Sequence, residues 1–163
     1  MNLKHIVFPT DFSEYNDTAL QYASRLAAES GATLHFVHVA DTRELGAAAG
    51  EVSYLYSAEW EKGRHRAERK LKRMAPPDSG VNFKHHSLTG IPDVQIVAFA
   101  VDQKADLIVM ASHGRTGISR FVMGSVAEAV MRKALCPVMV VKQPQTQDSH
   151  EASKRPVEAA VEH

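Results

Sequence analysis

Gly114, nine residues, then Gly124 and Ser125 is the spacing in this chain best suited to chemistry. It follows the apolar run Leu107–Met110 and precedes an amphipathic segment, so a strand, a glycine loop and a helix start succeed one another. The first turn of a helix presents N–H groups with no internal acceptor, and its aligned peptide dipoles add partial positive charge. The arrangement therefore suits an anion, phosphate above all. Gly114 and Gly124 remove side chains where backbone must approach a phosphate, and Ser125 adds a hydroxyl. Asp11, just beyond the first apolar run, can accept hydrogen bonds from amino or hydroxyl groups. Two common phosphate motifs are excluded: no Gly-Lys-Ser or Gly-Lys-Thr closes the loop, and no Gly-x-Gly-x-x-Gly follows the first strand.

Each of these residues also has a plainer reading. The glycines serve equally as a tight strand-to-helix connection, Asp11 as a turn residue and Ser125 as a helix N-cap. His113 lies inside the loop within reach of a phosphate, but a lone loop histidine is more often solvated, so it is not assigned a catalytic role. Arg115 and Arg120 would neutralise phosphate charge, although surface arginines usually do nothing so specific. His35, His38, His85 and His86 show no His-Glu-x-x-His or Cys-His arrangement, so zinc is not expected, and Mg²⁺ carried by nucleotide phosphates is the simplest metal. The single cysteine, Cys136, excludes an intrachain disulfide and reads as a small buried residue before Pro137.

The elements that must position these residues alternate along the chain. His5 to Phe8 is a short first strand ended by Pro9. Ser13 is the expected N-cap of a helix from Glu14 to Ser30, which Gly31 stops. Ala32 to Val39 is the second strand, and Thr42 to Gly50 a loop rich in Ala and Gly. Val52 to Met74 carries interleaved Lys, Arg and Glu on a broken apolar stripe, the pattern of a long helix with a solvated face rather than a nucleic-acid surface. Pro76, Pro77 and Gly80 end it, and Val81 to Leu88 is the third strand. A helix with Pro92 near its first position runs to Gln103, Leu107 to Met110 is the fourth strand, a helix spans about Ser125 to Ala134, and Val138 to Val141 is the fifth strand. The alternation predicts one α/β domain, residues 1–142, with a parallel doubly wound sheet. The 143–163 stretch is rich in Gln, Ser, Glu, Lys and Pro, and is expected to be a disordered tail.

The Gly114 to Ser125 segment resembles the universal stress protein family, whose nucleotide-binding members carry Gly, two residues, Gly, nine residues, Gly, then Ser or Thr. The likeness runs from about Leu3 to Lys142: HIVFPTDFSE resembles the family's first strand and its Asp-containing turn, HFVHV the second strand and CPVMVVK the last. It implies a Rossmann-like sheet of order 3-2-1-4-5, with the ends of strands one and four facing each other at the switch point. The ATP-binding members imply Pro9, Thr10, Asp11 and Val39 around the adenine and ribose, and Met110 beside the base. Gly114, Gly124, Ser125 and Val126 would take the ribose and phosphates. Ala111 stands where the motif has its first glycine; its methyl would obstruct a ligand whose atoms pack on that Cα. The resemblance also implies homodimers, and the last strand, at a sheet edge, can pair with its twin across a two-fold axis.

At 163 residues with 19 basic and 19 acidic side chains, the chain has no net charge to favour nucleic acid or an anionic membrane. No apolar run reaches the ~18 residues of a membrane span, and the first residues lack a signal-peptide core, so a soluble cytoplasmic protein is expected. The leading expectation is a stress-response protein that binds ATP or a related adenine nucleotide and acts as a dimeric binding or signalling module, not an enzyme. Its rivals are an interaction protein of the same fold with an empty site, and a slow ATP hydrolase. The hydrolase lacks support: only Asp11 and His113 stand near the loop as acid–base groups, and the adenylation motifs His-Ile-Gly-His and Ser-Gly-Gly-x-Asp-Ser are absent.

Overall fold

The computed structural model describes residues 3–44, 53–114 and 123–143. Arg115, Arg120, most of the Thr42 to Gly50 loop and the expected tail from 144 onward lie outside the described residues. In chain order the elements are β1 (His5–Pro9), α1 (Asn16–Ser30), β2 (Thr33–Asp41), a 3₁₀ turn (Thr42–Glu44), α2 (Ser53–Leu71), β3 (Phe83–Gly90), α3 (Pro92–Asp102), β4 (Leu107–Ala111), α4 (Ser125–Lys133) and β5 (Val138–Val141). The five strands form one parallel sheet in the order β3-β2-β1-β4-β5, the doubly wound arrangement expected of the alternating pattern.

Each sheet face carries its own apolar layer. Alternate side chains of β1, β2 and β4, among them Ile6, Phe8, Leu34, Phe36 and Val109, meet Ala19, Ala23 and Ala27 of α1 and Leu71 of α2. The other set, Val7, Val37, Val39, Ile108 and Met110, meets Ile96, Phe99 and Ala100 of α3 and Ala127 and Val130 of α4. Burial on both faces explains why β1 and β4 read as continuous apolar runs. Phe8 and Phe36 are fully buried and meet edge to face at 5.8 Å, a pairing worth about 1 kcal/mol beyond its area.

Most boundaries fall within a residue or two of expectation, and the departures have local causes. α1 begins at Asn16, not Glu14, and Ser13 does not cap it; the residue before the helix is Tyr15, with no side-chain cap. Ser13 is held instead by Asp11, whose Oδ1 accepts from the Ser13 backbone N–H at 3.0 Å and from its hydroxyl at 2.7 Å. Gly31 ends the helix in the left-handed conformation with φ 72°. β2 extends to Asp41 and β3 to Gly90 because the two remain in parallel register from Leu34↔Phe83 through Asp41↔Gly90. α2 stops at Leu71, and Met74 accepts a hydrogen bond from His85 Nε2 at 2.8 Å through its carbonyl.

Candidate functional site

β1 and β4 are neighbours, and their carboxyl ends open at the point where the chain changes its direction of travel across the sheet. A crevice of about 420 Å³ lies there, within the size range of small-molecule sites. Pro9, Thr10 and Asp11 form the β1 wall, Val39 and His38 come from β2, and Met110, Ala111, Ser112, His113 and Gly114 come from β4 and the turn after it. Gly124, Ser125 and Val126, at the start of α4, close the opposite side. The structure thus brings the residues that the resemblance assigned to the nucleotide to one crevice, while Arg115 and Arg120 lie outside the described residues.

The β1 wall is shaped by side chains bonding to their own backbone. Thr10 Oγ1 accepts from the Phe12 N–H at 3.0 Å, and Asp11 Oδ1 accepts from Ser13 and from the Asn16 amide at 2.6 Å. Between these turns Phe12 is left with φ 62°, a conformation bulky residues rarely adopt. Its ring packs at 4.5 Å against that of His38, and Lys70 Nζ of α2 lies 5.8 Å from its centroid. His38 is buried and its Nδ1 lies 2.8 Å from the Thr10 carbonyl; since a carbonyl only accepts, Nδ1 carries the hydrogen.

The β4 side is tied at its base. Ser112 donates its N–H to Val141 O at 2.9 Å and its carbonyl accepts from the Gly124 N–H at 2.8 Å, so the end of β4 and the start of α4 are joined directly. Gly124 is the N-cap of α4, with extended backbone, and Ser125 is the first helical residue; the capping role considered for Ser125 falls to its neighbour. The N–H groups of Ser125, Val126 and Ala127 precede the first available helical acceptor and border the crevice. His113 Nδ1 lies 2.8 Å from Ser112 Oγ, while its Nε2 is buried with no partner among the described residues.

The two glycines differ in what they accommodate. A Cβ at Gly114 would lie 2.6 Å from Asp11 Oδ2, so the carboxylate occupies the space a side chain would need. A Cβ at Gly124 would meet its nearest neighbour, Ser112 O, at 3.4 Å, an ordinary contact. Packing against Asp11 therefore opposes a side chain at 114, whereas the described residues leave room for one at 124. Ala111 is 7 % exposed and its side chain belongs to the layer beneath α1, whereas Met110 faces the α3 side. The methyl is accommodated within the core.

Several lining residues carried no signal in the sequence. Asn16, Pro92 and Ile96 belong to helices read only as packing elements, Asp41 bounds the second strand, and Arg43 lies in the Thr42 to Gly50 loop of unassigned role. Proximity to the end of β2 was the available clue for the latter two. Asp41 and Arg43 are joined at 2.6 Å, and Trp60 Nε1 donates to the Asp41 carbonyl at 3.0 Å, anchoring α2 to this rim. Val39, Ile96, Met110 and Ala127 make one side of the crevice apolar, while the α4 terminus makes the other a donor surface. No cluster of three metal-ligating side chains occurs among the described residues.

The sequence pattern of the universal stress protein family matches residues 2–142. The chain belongs to that family. Universal stress protein MJ0531 of Methanocaldococcus jannaschii is 41% identical over 143 residues, covering 86% of this chain and 83% of the relative. Universal stress protein MJ0577 of the same organism is 33% identical over 155 residues, covering 85% and 94%. The solved structure of MJ0577 superimposes with a TM-score of 0.79 over 90% of this family member and 100% of that chain, at 32% identity. A universal stress protein from Archaeoglobus fulgidus, solved in complex with dAMP, superimposes with a TM-score of 0.54 at 26% identity, covering 87% and 100%. The fold of this universal stress protein is the Rossmann-like sheet that the resemblance implied.

Proposed function

We infer that this universal stress protein binds ATP or a related adenine nucleotide in the β1/β4 crevice and acts as a binding module rather than as an enzyme. The observation that carries the reading is Gly124: nothing among the described residues excludes a side chain there, yet the position borders the first-turn N–H groups of α4. A ligand that approaches this backbone supplies the reason for glycine. The solved dAMP complex of the Archaeoglobus relative supports the nucleotide class.

The residues fit such a ligand in two parts. The apolar side formed by Val39, Met110 and Ile96 suits a planar base, with Pro9, Thr10 and Asp11 at its edge. Gly114, Gly124, Ser125 and Val126 suit the ribose and phosphates. Any Mg²⁺ would arrive with the phosphates. Binding then consists of burying the base, donating backbone hydrogens to phosphate oxygens and excluding water from the contact.

Calorimetry with ATP, ADP, AMP and cyclic AMP tests the reading, with at least one expected to release or absorb heat saturably. Gly124→Asp is expected to stay folded, since Asp is a favoured N-cap, and to lose binding because its carboxylate repels phosphate. Absence of heat with all four nucleotides, together with no nucleotide co-purifying, would overturn the proposal.

A further inference from the structure

Away from the crevice, three histidines on neighbouring strands meet end to end. His5 Nδ1 of β1 lies 3.1 Å from His35 Nε2 of β2, and His35 Nδ1 lies 3.0 Å from His86 Nε2 of β3. Phe99 of α3 packs on two of the three, with ring centroids 5.9 Å from His35 and 4.5 Å from His86. His35 is 1% exposed; His5 and His86 are half-buried. We propose that His5, His35 and His86 form a proton-operated latch that holds α3 on the sheet at neutral pH and releases it in acid.

The hydrogens on the three rings set how the latch works. Each link needs one N–H facing one bare nitrogen, and both ring nitrogens of His35 are committed to links. Three neutral imidazoles satisfy both links, with all hydrogens pointing the same way along the row. One added proton is also accommodated: His35 can donate in both directions, or either end can donate inward. Two added protons cannot be. If His5 and His86 are both charged, the one hydrogen of neutral His35 faces another N–H; if His35 and an end are charged, their shared link holds two hydrogens. The second proton therefore breaks a link and leaves like charges adjacent beneath Phe99.

The surroundings oppose even the first proton. Burial, then His86, His5 and Lys84, holds His35 at about 4, below the ordinary 6.5. Burial and then Lys84 and His85 lower His86 as well. The carboxylate of Asp106, at the start of β4, accepts from the backbone N–H groups of Lys4 and His5 at 2.7 and 2.9 Å. From α3 the row meets Phe99, an uncharged ring. An unfolded or opened chain takes the proton near 6.5 and the closed one only near 4. The closed state is therefore fully favoured above 6.5 and loses its advantage as pH falls through about 4. Pro92 and Ile96, one to two turns before Phe99, line the crevice, so release of α3 removes part of its wall.

Amide hydrogen exchange of the full chain from about pH 7 to about pH 4, corrected for intrinsic rates, tests the latch. The α3 amides are expected to lose protection before those of α1. His35→Phe, which removes the middle of the row and suits the surface beside Phe99, should move this opening about one pH unit lower. His86→Gln, at a half-buried position, should move it part of the way and decides the matter if His35→Phe does not fold. Simultaneous loss of protection in α3 and α1 would show ordinary acid unfolding and overturn the proposal. A midpoint unchanged in the folded variants would overturn it too.

Discussion

A methyl group added at Gly114 and one added at Gly124 would meet different neighbours, although the two positions bracket one loop. At Gly114 the Cβ would be 2.6 Å from Asp11 Oδ2, so Gly114→Ala must displace a carboxylate that holds Ser13 and Asn16. The expected cost is about 1–3 kcal/mol in a denaturant melt, and Asp11→Ala in the same chain should recover part of it. An additive double mutant would show that the contact is not what the glycine serves. The motif spacing was legible because both glycines and Ser125 lie within one short stretch. The Asp11–Gly114 contact was not, because it depends on how two distant loops meet. Ser13 was misread for a related reason: its type suits a cap, but the neighbouring Asp11 competes for its N–H and hydroxyl.

Among the elements, β1 and β4 open onto the crevice, and Asp106 joins their starting ends by accepting from the N–H groups of Lys4 and His5. Those backbone hydrogen bonds hold the Asp106 carboxyl below its ordinary range. Its stabilising contribution is therefore complete above the ordinary carboxylate titration near 4 and disappears as pH falls through the lower folded value. Asp106→Ala should cost about 1–2 kcal/mol at neutral pH by urea denaturation, a penalty that shrinks in strong acid. An equal penalty in acid would assign the loss to packing instead. Strands and helices were readable here as apolar runs and periodicity, since burial on both faces of β1 and β4 leaves a continuous signal. The histidine row was invisible at that level: His5, His35 and His86 lie on three strands and meet only through the register of β1, β2 and β3.

At the scale of the whole molecule, β5 pairs with β4 alone and forms one edge of the sheet, with Val138, Met139 and Val140 half-buried. An apolar edge of this kind favours pairing with a second copy. Light scattering at micromolar concentration is expected to give about twice the 17.9 kDa of one chain, and a single-chain mass would remove β5 pairing from the account. The crevice lies at the carboxyl ends of the strands, so an edge-to-edge dimer leaves both copies open to solvent. The meeting of Asp11 with Gly114 carries a different kind of consequence, one that acts over descent rather than in a single molecule. Because one carboxylate fills the space beside one bare Cα, a side chain at 114 fits only where residue 11 is shorter or turned aside. A lineage that acquires a side chain at 114 should first, or at the same step, have shortened residue 11, whereas residue 11 is free to shorten while 114 stays glycine.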